Sequence, residues 1–67
     1  GAVIDAIVTA PHQVMRAMDV ARDPDVIRAY PGLAETSRRD YILEAMHGLV
    51  AVGRLVKVNR NAWRWVE

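Results

Sequence analysis

The sequence predicts a small α+β domain, mainly α, in which three to four helices precede a C-terminal two-stranded β-hairpin. Three observations carry that expectation. Apolar residues make up 52% of the 67 residues and charged residues 25%, a globular balance. Proline and glycine divide the first half into short segments whose apolar residues recur at helical spacing. Residues 55–66 instead carry the β-branched and aromatic residues of strands, interrupted by an asparagine-rich turn.

The elements follow in order. From Ala2 to Ala10, Val3, Ile4, Ile7 and Val8 take the i, i+1, i+4, i+5 spacing of a helix facing a core, with a short strand as the alternative. Pro11 interrupts that run and opens a second helical segment, with Val14, Met15, Met18 and Val20 or Ala21 as its buried stripe. Asp23 and Pro24 repeat the punctuation, with Asp23 as N-cap, Pro24 at the first helical position and Asp25 in the first turn. Val26, Ile27 and Tyr30 supply its apolar side until Pro31-Gly32 stops it.

The longest helix is expected from Ser37 to Val52, with Thr36 or Ser37 as N-cap and Asp40 completing a weak capping box with Ser37. Ile42, Leu43, Met46, Leu49 and Val50 fall within one arc, flanked by Tyr41, Ala45 and Val52. Ser37, Asp40, Glu44, His47 and Ala51 form the opposite stripe. Gly53 suits the left-handed residue that ends a helix, and Arg54 lies near the negative end of the dipole.

Leu55–Val58 and Ala62–Val66 read as the hairpin, turning through Asn59-Arg60-Asn61-Ala62. Pairing Val58 with Trp63 and Val56 with Trp65 puts these four side chains on one face and Leu55, Lys57, Arg64 and Val66 on the other. Trp65 is then expected to close the core against Met46 or Leu49. Trp63, nearer the tip, is the candidate for an exposed aromatic.

Length bounds the whole at one domain, residues 1–67, with marginal stability and no volume for an enclosed pocket. The chain starts at Gly1 rather than Met, which predicts a piece excised from a larger protein or a small stand-alone regulator. No uncharged stretch approaches the length of a membrane span, so a soluble cytoplasmic or nuclear protein is expected.

Catalysis finds few footholds. Without cysteine there is no disulfide, thiolate zinc site or thiol nucleophile. Ser37 and His47, on one helix, lie about 15 Å apart along its axis, beyond hydrogen-bond reach. The four glycines form no phosphate loop. His12 and His47 lack metal-ligand spacing; Asp40, Glu44 and His47 share a stripe that reads as a solvated face. Met15, Met18 and Met46 lie on helical stripes as core filler. No enzyme, metal or cofactor is expected.

The order of helices and hairpin resembles the winged helix-turn-helix superfamily. The resemblance runs from Ser37 to Val66, about half the chain, and is carried by "SRRDYILEAMHGLVAVG", the "GRLVKV" entry into the first wing strand, and "AWRW" in the return strand. Its helix-turn-helix would join the Asp23–Tyr30 helix to the Ser37 helix through Pro31–Thr36, longer than the usual turn. Z-form nucleic-acid-binding members are similar in the wing tryptophan, but their characteristic Asn and Tyr would fall at Leu43 and His47 here, a departure from that pattern.

Charge then suggests a partner. Residues 1–35 are net −2 and residues 36–67 net +3. Lys57 and Arg64 are expected to face outward together, with Arg60 at the hairpin tip and Arg54 at its entry. Arg38 and Arg39 lie in the first turn of the long helix, whose free N–H groups favour an anion. The resemblance implies double-stranded DNA as partner, with Ser37, Arg38, Arg39 and Tyr41 on the groove-entering helix and Arg54, Lys57, Arg60 and Arg64 on the wing. The alternative is a protein partner or a homodimer, docking through the Asp40/Glu44 stripe or Trp63.

Overall fold

The computed structural model describes residues 1–67 and starts with helix α1 (Ala2–Val8), which buries Ala6 and Ile7 and leaves Val3, Ile4 and Val8 half-buried. Thr9 ends it, its hydroxyl donating to the Asp5 carbonyl at 2.7 Å.

The next segment departs from the expected second helix. Pro11–Gln13 form a tight turn, then Val14–Arg16 form strand β1, and only Ala17–Ala21 are helical (α2). His12 and Gln13 both have left-handed backbones, φ 58° and 57°. Two such residues in a row cannot continue a right-handed helix, so the chain turns and enters the strand. The strand exists because a distant partner claims its backbone: Val14 pairs with Arg64, Met15 with Trp63 and Arg16 with Ala62, antiparallel. The expected stripe survives in part, with Val20 and Ala21 buried and Met15 packed at the core margin.

Helix α3 (Pro24–Ala29) starts as its sequence dictates. The Asp23 carboxylate accepts from the backbone N–H of Asp25 at 2.9 Å and of Val26 at 3.3 Å, and Pro24 occupies the first turn. Val26 is buried, but Ile27 faces solvent.

Helix α4 (Glu35–Ala51) begins two residues before the expected start. Its N-cap is Ala34, with no side-chain cap, so Thr36 and Ser37 lie inside the first turn. Glu35 at the positive end of the helix dipole, paired with Arg22 at 3.1 Å, stabilises the longer form. Ile42 and Met46 are fully buried and Leu43, Ala45 and Leu49 half-buried, whereas Val50 is exposed. The polar stripe of Ser37, Asp40, Glu44, His47 and Ala51 is exposed throughout. Gly53, at φ 80°, closes the helix: its N–H bonds the Val50 carbonyl and that of Arg54 bonds Leu49, a Schellman pair.

Strands β2 (Leu55–Asn59) and β3 (Ala62–Trp65) form the expected hairpin in a different register. Leu55 pairs with Trp65, Val56 with Arg64 and Lys57 with Trp63; Asn59 pairs with Ala62, and an irregularity between Lys57 and Asn59 leaves Val58 unpaired. The Asn59 side chain accepts from the Asn61 N–H at 2.9 Å, tightening the turn to Arg60-Asn61. One residue of slip exchanges the faces of β2. Leu55 and Lys57, not Val56 and Val58, therefore share the inner face with the tryptophans. Trp63 is 5% exposed and belongs to the core, while Trp65 is half-buried beside it, the reverse of the expected assignment.

The sheet order is β1-β3-β2, so the last strand lies in the middle. The core gathers Ile7, Val20, Val26, Ile42 and Met46, capped by Leu55 and Trp63. No helix is long and apolar enough to cross a membrane.

Candidate nucleic-acid interface

The basic residues singled out by sequence do not all meet. Arg38 is 7% exposed, and its guanidinium is committed inward. Its Nε donates to the Ala21 carbonyl at 2.6 Å and one terminal nitrogen donates to the Leu33 carbonyl at 3.1 Å. It fastens the end of α2 and the loop before α4 to the first turn of α4. A charge held this way satisfies backbone acceptors and cannot reach a phosphate.

Arg39, the next residue, points elsewhere. It is half-exposed, with one terminal nitrogen 3.1 Å from the Asp40 carboxylate and a buried Nε that has no hydrogen-bond partner. Arg39 and Leu43, one turn apart, face the hairpin across an open cleft of about 470 Å³. Tyr41 lies about 200° further round the helix. The residue is 55% exposed, and its ring stacks on Tyr30 at a centroid distance of 6.3 Å, on the flank against α3. Ser37 is exposed in the first turn of α4.

On the hairpin the register separates Lys57 from Arg64, correcting the expectation that they face outward together. Lys57 lies on the inner face, its ammonium 5.3 Å from the Trp63 ring centroid, a cation–π contact. Arg64 lies on the outer face, between Val14 of β1 and Val56 of β2. Arg60 occupies the turn, and Arg54 sits at the opposite, open end of the hairpin, roughly 20 Å along the strand direction. Trp63, between Lys57 and the tilted His47 ring at 6.5 Å, forms part of the cleft floor and is too buried to serve as an exposed anchor.

Two cations missed in the sequence complete the cleft. Arg16, at the end of β1, and Arg22, at the end of α2, line it opposite Arg39, and Asn61 of the hairpin turn closes one side. Arg16 grips Asp19 through two nitrogens, at 2.8 and 3.2 Å. That hydrogen bonding holds the Asp19 carboxyl below the usual carboxylate range and raises the Arg16 pKa. Both arginines sit in the half of the chain where carboxylates outnumber cations, so a tally of charge by halves conceals them. Only the unforeseen strand β1 brings Arg16 beside the hairpin.

A second open cleft, also about 470 Å³, lies on the other side of the molecule, where α1, Tyr30 and Leu49 form a mostly apolar lining. No protein-family model, curated protein or solved structure matches the chain.

Proposed function

We propose that the chain is a double-stranded DNA-binding module of the winged-helix kind, a transcriptional regulator or the DNA-docking domain of a larger protein. The observation that carries this reading is the placement of Arg39, on the N-terminal half of α4, across a cleft from the hairpin turn that bears Arg60 and Asn61. A helix end and a hairpin tip on one side of a small domain suit a duplex, in which the helix enters the groove and the hairpin follows a backbone. The contacting set is narrower than the sequence suggests. Arg39 and the turn that bears Arg60 remain on that side, Arg38 is withdrawn, and Ser37, Tyr41, Arg54 and Arg64 belong to other surfaces.

Titration with random-sequence duplex DNA at low and moderate salt tests the reading. Binding should be weak, in the micromolar range of largely non-specific contacts, and should fall as salt rises. Amide shift changes should centre on Ser37–Leu43 and Asn59–Trp63. Shifts confined to α1 and α3, or no binding at low salt, would move the reading to a protein partner. The apolar cleft beside Tyr30 and Leu49 favours that second reading.

A further inference from the structure

We infer that the cleft between α2, the first half of α4 and the hairpin turn is a binding site for one phosphoryl group, held by Arg16, Arg22 and Arg39. The inference deepens the DNA reading, which names the source of the phosphate, but it stands on the chemistry of the cleft. Three guanidinium groups from three separate elements line one concavity, and no carboxylate lines it. Each guanidinium carries five N–H donors in a planar fork suited to phosphoryl oxygens. Within the protein only two of Arg16's nitrogens and one each of Arg22's and Arg39's are engaged with side-chain carboxylates. Most of the donor capacity is unspent.

Arg39 adds a more specific sign. Its Nε is shut off from solvent and bonded to nothing, an unfavourable state for a charged donor that an entering oxygen would relieve. The floor of Met18, Leu43 and Trp63 is apolar, which strengthens charge-assisted hydrogen bonds made above it. Asn61 supplies an amide donor from the hairpin side.

The resident ion pairs are not an obstacle. Asp19, Glu35 and Asp40 stand outside the cleft with side chains 37%, 45% and 67% exposed, so each pair is hydrated and readily exchanged. These carboxylates also reduce the net positive field, which favours a singly charged phosphodiester over a free dianion. An open cleft admits a phosphate that is part of a chain, with the polymer continuing along the hairpin turn.

The test is NMR observation of the arginine Nε–H groups in the 67-residue chain during three titrations: inorganic phosphate, pyrophosphate and random duplex DNA. Duplex DNA should shift the Nε–H signals of Arg16, Arg22 and Arg39 together, and leave that of Arg54 in place. R39K keeps the charge but loses Nε and the fork; it should weaken duplex binding several-fold with the salt slope nearly unchanged. R16Q, at an exposed position, removes a charge without unfolding the chain and should weaken binding and reduce the salt slope by about one, while R54A should bind as wild type. Duplex binding that shifts the hairpin amides but not these three signals would overturn the phosphate site and leave the DNA reading standing. Shifts with phosphate or pyrophosphate but not with duplex would keep the site and overturn DNA as its source. No shift with any of the three would overturn both.

Discussion

Arg38 and Arg39 are neighbours of the same type, yet one is a fastener and the other faces a cleft. The difference is one residue of helical rotation, about 100°, which sends Arg38 toward the Ala21 and Leu33 carbonyls and Arg39 toward the hairpin. R38A removes the donors to both carbonyls in a largely buried setting. The expected cost is about 2–4 kcal/mol, enough to unfold much of a domain this small, and thermal unfolding followed by circular dichroism reads it. R39A should change the melting temperature little, because its one ion pair is exposed. Asp19 makes a further prediction. Its folded pKa lies below its unfolded value, so the Arg16 pair adds stability above about pH 4, which is lost as pH falls through the folded pKa. D19N should remove that part of the acid sensitivity, a small part because the carboxylate is partly exposed. Melting curves of the two proteins should therefore converge at low pH and separate above pH 4.

Among the elements, those fixed by local chemistry are the legible ones. The Asp23 cap with Pro24, the Gly53 terminus and the Ile42/Met46 stripe each depend on residues within a turn or two of one another, and each stands where the sequence places it. Strand β1 is illegible because its reason for existing is β3, at the far end of the chain. The hairpin is legible as a hairpin but not in register, since the bulge around Val58 and the Asn59 turn decide the faces. For the same reason the candidate site was half visible: Arg39 and Arg60 follow from helix and turn, whereas Arg16 and Arg22 need the sheet. The observed register makes W63A the costly tryptophan variant, at about 3–5 kcal/mol, with W65A milder because that ring is only half-buried. Equal losses, or a larger one for W65A, would restore the other register. G53A should cost about 1–2 kcal/mol through its left-handed backbone alone, since a methyl group there meets open space.

For the molecule as a whole, the proposed DNA reading implies a direction of approach set by charge. The cleft arginines and the Arg60 turn share one side, while the exposed stripe of α4 carries Asp40 and Glu44. Replacing both carboxylates by alanine should leave duplex affinity unchanged or increase it; loss of binding would identify the acidic stripe as the contact. A single copy offers few cations, so tight and selective binding calls for a second module or a second copy, whose linkage can raise avidity by roughly 10² to 10⁴. The strand order carries a consequence of another kind, in time rather than in space. Since β3 is both the last element and the middle strand, β1 and β2 have no sheet to join until residues 62–65 exist. A chain growing from its N-terminus can form α4 early, but it must keep Met15 and the underside of that helix uncovered until Trp63 arrives. Folding should therefore be a single late event, slower than in a helical bundle of equal length because the closing contacts span nearly the whole chain. A chain cut after Arg60 should lack cooperative melting, and the same chain supplied with residues 61–67 should regain it in one step.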